Sequence, residues 1–411
     1  MSPVSRKRQK KHRPNPSSNR PQPASRAEPA GRTALDAVYG DLEDALQETL
    51  RSEDPFVAEI LLTDVLGSMR GIEADEPGAP TGTVDAFIDG LAVRANPAAT
   101  AALVALARLA PAESSRMRAR HRLRELPGIF RPAWTGAIDT WAPDRAMVLA
   151  DAFGDTATVA VEFTGTGRTH ALLAHVDFSH LGGWCPEVFV IEDTAAVRAA
   201  MGRDGAADPV HHYVELDLAA ARFLLERALA ATERTEAPAT AEAFDEMHAL
   251  ALARLRLLPA TSDPTAAASV EVRAALVAAG LHAPSALDDR VIAEPSAREA
   301  LVRQFTESEP ASAPVGLAPD SVALLARELV DYGFDYDDGR PLRLSPLKLA
   351  TFLARWLPSR VTLTAADRTT LPAVVTAWVD FALAGSPLPA AADADLRAAL
   401  PGLLAAVTAA D

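Results

Sequence analysis

Residues 146–178 read AMVLADAFGDTATVAVEFTGTGRTHALLAHVDF, and this stretch decides the fold. Its apolar residues recur with a period of 2 rather than 3.6, the alternation of β-strands. Strands are expected over residues 146–153, 156–163 and 169–178, with a weaker fourth near 187–191. Gly154-Asp155 and Thr166-Gly167 stand at the turns, as an antiparallel β-meander requires. With two-residue turns, the rows Val148–Val161–Leu172, Ala150–Val159–Ala174 and Ala152–Ala157–Val176 form one apolar face, which must meet a layer of helices. The other face is mixed. It carries a polar row Asp151–Thr158–His175, with Asp177 two residues beyond on the same side. A one-residue slip in either turn would destroy that row.

On both sides of this stretch the period returns to that of helices. Leu35, Val38, Leu42, Leu46 and Leu50 make one stripe. Ser52 and Pro55 read as the start of a second helix carrying Phe56, Ile60, Leu61, Val65 and Met69. Further helices are expected at about 84–95, 98–109, 112–125, 194–202, 216–232 and 240–256. A Pro/Ser/Thr/Ala stretch at 259–269 reads as a boundary. Ser345 caps a later helix with Pro346 at its first position, and Pro358 ends it. The next helix is expected to begin near Leu371-Pro372. Trp356 and Trp378 fall on the apolar stripes and are expected to be largely buried. The predicted fold class is therefore α+β, predominantly α-helical, with a small antiparallel β-meander in the middle of the chain. Its parts are a basic tail over 1–32, a helical region over 33–140, an α+β domain over 141–258 and a helical domain over 270–411.

Charge is unevenly spread. Residues 1–32 hold nine Lys/Arg and one acid, a net of +8, so the other 379 residues carry −23 of the chain's −15. The tail is Pro-rich and nearly free of apolar groups, which predicts disorder over residues 1 to about 31. An acidic body repels nucleic acid, so any weak nucleic-acid contact is assigned to the 1–32 tail. No apolar run follows the basic N-terminus, and no span of about 18 apolar residues occurs, so neither a signal peptide nor a membrane segment is expected. The single cysteine, Cys185, excludes an internal disulfide and a multi-cysteine zinc site. A lone thiol fits a reducing cytoplasm.

Chemistry concentrates in residues 173–184, LAHVDFSHLGGW. Strand alternation puts His175 and Asp177 on one face, and His180 follows in a turn that two glycines let bend tightly. Two imidazoles and a carboxylate can bind a divalent metal and leave positions open for water, the minimum for metal-assisted hydrolysis. The plainer reading is a polar outer face of the sheet. Asp331, Asp335, Asp337 and Asp338 before Gly339 miss the spacing of a calcium loop and read as an acidic turn. His211-His212 reads as the polar start of a helix, with Glu215 and Asp217 near its dipole. Cys185 reads as inert. A P-loop, a dinucleotide glycine fingerprint, His-Glu-x-x-His and Gly-x-Ser-x-Gly are all missing.

The segment Leu344-Ser345-Pro346-Leu347, followed by Phe352 to Pro358, Leu371-Pro372 and Trp378, resembles a segment of a family of high-GC bacterial proteins that has no known activity. Val176-Asp177 with Leu181-Gly182-Gly183 is similar to a second segment of that family. The resemblance covers about a fifth of the chain and implies a shared architecture and no activity. The expected function is that of a non-catalytic cytoplasmic binding or regulatory protein, with no cofactor assigned. The alternative is a metal-assisted hydrolase using His175, Asp177 and His180.

Overall fold

The computed structural model describes residues 39, 42, 44–47, 54–75, 82–126, 131, 133–165, 167–179, 183–234, 240, 242–260, 295–312, 317–337, 339–385 and 388–408. The 1–32 tail and its expected disorder lie outside the described residues, and so do His180, Asp338 and the 261–269 part of the expected boundary.

The helices before the sheet include α1 (Pro55–Asp75), α2 (Thr83–Arg94), α3 (Pro97–Leu109) and α4 (Glu113–Glu125). Their starts follow local chemistry. Asp54 Oδ1 accepts the Phe56 N–H at 3.0 Å, just before α1. Asn96 Oδ1 accepts the Ala99 N–H at 2.8 Å, and Pro97 supplies the fixed φ of the first position of α3. Helix α3 is apolar nearly all round and is buried nearly all round, as that pattern demands.

The expected meander is present as β1 (Ala142–Asp151), β2 (Thr156–Gly165) and β3 (Arg168–Asp177), followed by β4 (Trp184–Ile191). A further strand, β5 (His211–Leu216), pairs antiparallel with the free edge of β1, giving the order β4-β3-β2-β1-β5. The sequence pattern places His211-His212 just before a helix over about 216–232, at its polar N-terminus. The run His-His-Tyr-Val-Glu-Leu instead pairs with the β1 backbone, and the helix begins at Leu218. Helix α5 (Thr194–Ala207) makes the crossover between β4 and β5. A Cβ placed on Gly205 would lie 2.7 Å from Tyr213 Cβ, so the missing side chain lets α5 lie close on β5.

The β2–β3 register is as expected, with Val161 opposite Leu172 and Thr158 opposite His175. The β1–β2 register is displaced by two residues: Val148 faces Val159 and Leu149 faces Thr158. The cause is Asp151. Its carboxylate accepts N–H groups from Phe153 (2.8 Å), Asp155 (3.1 Å) and Thr156, and the Thr156 hydroxyl at 2.9 Å. One side chain thus organises a longer turn over residues 152–155 than the Gly-Asp pair alone predicts. A slip of two keeps every side chain on its face, so the apolar face survives while the Asp151–Thr158–His175 row does not.

That apolar face packs on α1, α3, α6 (Leu218–Arg234) and α7 (Glu242–Leu255) in one core that includes Leu62, Leu103, Val159, Val161, Leu224 and Leu250. The opposite face is covered in part by α5, where Val197 and Met201 meet Met147, Ala160 and Leu173.

A second core lies in the C-terminal helices α8 (Pro295–Thr306), α9 (Pro319–Asp335), α10 (Pro346–Thr351), α11 (Ala365–Gly385) and α12 (Ala390–Thr408). Ser345 caps α10 as expected, its hydroxyl accepting the Lys348 N–H at 2.8 Å. Helix α10 runs through a π-helical turn (Phe352–Trp356) into a last turn that contains Pro358. Proline has no N–H for the usual i−4 carbonyl, and a widened turn directly before it absorbs the mismatch. Helix α11 starts at Ala365, six residues before the expected Leu371, and carries Pro372 within it. Trp378 is buried as expected. Trp356 is only half-buried. It stands at the end of the π turn, where its Nε1 donates to Glu328 at 3.3 Å and Arg360 lies over its ring. No described helix is long and apolar enough to cross a membrane.

Candidate functional site

His175 and Asp177 project from the same face of β3, as the alternation required. His175 is half-buried and stands between Thr158 on β2 and Glu187 on β4. Asp177 stands between Thr156 and Trp184, past an irregularity in the β3–β4 ladder. Its Oδ1 accepts the Ser179 N–H at 2.8 Å, which turns the chain out of the strand. Among the described residues no group of three or more His, Cys, Asp or Glu side chains is placed to hold a metal ion.

This end of the sheet is where the C-terminal helices dock. Arg340 Nη2 donates to Phe178 O at 2.7 Å, one residue beyond Asp177. Arg343 Nη1 donates to Phe153 O at 3.2 Å and to Asp155 Oδ1 at 2.5 Å. Ser345 Oγ donates to the same Asp155 oxygen at 2.9 Å. The Asp151-organised turn therefore presents Asp155 to the second core. Behind these contacts lies Asp337, 1% exposed. Its carboxylate takes Arg340 Nη2 and Arg343 Nη2 at 2.8 Å each, and Lys348 Nζ at 2.7 Å. Lys348 Nζ also donates to Arg340 O at 2.6 Å.

Electrostatics follow from that arrangement. Burial alone would raise the Asp337 carboxyl, but Lys348, Arg343 and Arg340 outweigh it and hold it below the usual carboxylate range. Asp155 is pushed up by burial, against the pull of Arg343. Burial pushes Lys348 down to about 8, although Asp337 opposes it. Asp331 and Asp335, the other acids of this turn, are both paired with Arg298. The near-calcium pattern is thus an acidic turn whose members each have a cation, except for Asp338, which lies outside the described residues.

A second buried cluster ties α1 and α7 to the sheet. Arg254 grips Glu59 through two parallel bonds of 2.9 and 2.7 Å, and Trp141 Nε1 donates to Glu59 at 3.0 Å. Arg254 Nε donates to His170 Nε2 at 3.0 Å. The imidazole is stacked on Phe56 and Phe163 and meets the edge of Trp141.

Cys185 is buried, its Sγ donating to Glu187 O at 3.3 Å, and burial pushes its thiol up to about 12. A thiol held that high is no nucleophile. His211 is paired with Asp208 at 2.9 Å on the edge strand. An open cleft of about 560 Å³ runs along α11, walled by Pro310, Pro372, Ala373 and Ala377 with Glu309 and Asp380 in its lining. Asp380 is committed to Arg397 at 2.8 Å, the Thr376 hydroxyl donates to Pro372 O at 2.8 Å, and the lining holds no cation.

No family model matches the chain, and no curated protein or solved structure matches it.

Proposed function

We propose that this chain is a non-catalytic cytoplasmic binding or regulatory protein. One observation carries the reading: the polar groups around the only sequence-defined candidate site are occupied in joining two cores. Asp155 and Asp337 are ion-paired with Arg340, Arg343 and Lys348 at that junction. Groups buried and held in such contacts present no open face to a substrate.

The alternative reading, a metal-assisted hydrolase using His175, Asp177 and His180, is favoured by the shared face of His175 and Asp177 beside the junction. Elemental analysis of the purified full-length protein separates the two. The binding reading expects no stoichiometric zinc, manganese or iron, and no hydrolysis of simple esters or phosphoesters that His175→Ala removes. Stoichiometric metal that disappears in His175→Ala would overturn it.

The partner proposed for the 1–32 tail is nucleic acid, held weakly by phosphate contacts, because the net +8 of the tail contrasts with an acidic body. Binding of a short duplex should weaken steeply with salt and vanish when residues 1–31 are deleted. Unchanged binding after deletion would sink the assignment.

A further inference from the structure

Against the acidic balance of the whole chain, residues 108–124 hold Arg108, Arg116, Arg118, Arg120, Arg122 and Arg124 with Glu113 as their single acid. Most of these arginines are answered by carboxylates. Arg118 meets Asp85 and Asp89, Arg122 meets Asp89 and Glu125, and Arg108 meets Asp139. The corner between α3 and α4 is different. Arg116 Nη1 donates to Ala110 O (2.7 Å) and Pro111 O (2.5 Å), and its Nε and Nη2 reach Glu113. Arg120 reaches the same carboxylate at 3.5 Å. Arg256, arriving from the end of α7, donates Nη2 to Arg108 O at 2.5 Å in the same turn. Among the described residues Arg256 has no ion-pair partner, and that one bond uses one of its five N–H donors.

Two guanidinium groups, Arg116 and Arg120, thus converge on the exposed Glu113 carboxylate, and a third, Arg256, is held at the same turn through Arg108 O. Arg116 and Arg256 cap carbonyls at the C-terminal end of α3, which accounts for part of the arrangement. It does not account for the surplus of charge. Burial pushes the Arg256 guanidinium down to about 10, and Arg116 and Arg120 add to the push more than Glu113 relieves it. A cation held half-buried beside two others is under-compensated, and planar guanidinium forks match the oxygens of a phosphate group.

We propose that Arg116, Arg120 and Arg256 bind a phosphate group at the α3–α4 corner, displacing the exposed Glu113 carboxylate. The site stands on elements separate from the sheet edge, so it holds whichever reading of His175 and Asp177 is right.

The test is calorimetric titration of the full chain at low salt with inorganic phosphate and, in parallel, with a phosphoserine peptide, chloride being the control anion. Saturable binding is expected. It should weaken at least tenfold in Arg256→Gln and in Arg120→Gln, and tighten several-fold in Glu113→Gln, which removes the competing carboxylate. Tighter binding of inorganic phosphate assigns the site to a free small-molecule phosphate, and tighter binding of the peptide to a phosphorylated side chain. Should Arg256→Gln fail to fold, Arg120→Gln, at a partly exposed position, decides alone. No saturable binding, or binding that survives both arginine variants because the 1–32 tail carries it, overturns the proposal.

Discussion

Asp337→Ala is expected to lower stability by about 3–5 kcal/mol, measured by urea unfolding and read most clearly on the C-terminal core. The magnitude follows from what the substitution leaves behind. Arg340, Arg343 and Lys348 are each less than a tenth exposed and all three point at this carboxylate. Removing it takes one shared carboxylate away from three cations in a region where water cannot replace the lost partner. Arg343 retains Asp155, Arg340 keeps its bonds to the residue-337 and Phe178 carbonyls, and Lys348 keeps its bond to Arg340 O. An exposed pair such as Arg397–Asp393 sets the contrast, since breaking it should cost no more than about 1 kcal/mol. The loss should extend beyond the C-terminal helices, because Arg340 and Arg343 are also the donors to Phe178 O and Phe153 O of the sheet. Two separated unfolding transitions are therefore expected in Asp337→Ala if the wild type unfolds in one. A loss under about 1 kcal/mol would mean that the cluster is hydrated rather than buried.

The strands were legible because a buried sheet face writes its period of 2 directly into the sequence. Val159, Val161, Leu172, Ala174 and Val176 alternate without a fault, and the structure puts each of them in the core. Turn length was less legible. Gly154-Asp155 fits a two-residue hairpin, and nothing local reveals that Asp151 collects the N–H groups of the three residues that set the longer turn. Strand β5 escaped because one short edge strand before an Ala/Leu helix has too few residues to display a period. The Ser345 cap was readable because capping is a contact between near neighbours.

The charged clusters were not readable, for the opposite reason. Glu59 and Arg254 are 195 residues apart, and Asp155 and Arg343 are 188 apart. In sequence Asp337 looks like one of several acids in a turn. Only its burial separates it from Asp331 and Asp335. His175 and Asp177 share a face because alternation is local, whereas their position at the junction with α9 and α10 depends on tertiary contacts that the sequence does not display.

Acidification should destabilise the N-terminal core through His170, by an amount on the order of 4 kcal/mol between pH 7 and pH 3. The imidazole is 1% exposed, and burial first, then the Arg254 guanidinium, pushes it from 6.5 down to about 3. Arg254 Nε donates to Nε2, so the ring proton stands on Nδ1, a buried atom with no partner among the described residues. Protonating Nε2 would break that bond and set two cations 3.0 Å apart inside an aromatic cage. Below about pH 6.5 the unfolded chain takes up a proton that the folded chain refuses. Stability must then fall with pH by about 1.4 kcal/mol per unit until about pH 3, where the folded ring also protonates. Above about 6.5 both states are neutral and this contribution is constant. Carboxylates titrate in the lower part of the same window, so the measurement must isolate the histidine. His170→Gln keeps an oxygen acceptor for Arg254 and removes the titration. Unfolding free energies measured from pH 7 to pH 4 should fall more steeply in the wild type than in His170→Gln, by about 1.4 kcal/mol per unit between pH 6 and 4. Equal slopes would mean that the ring takes up its proton in the folded state, and the buried Arg254–His170 contact would have to open to water to allow it.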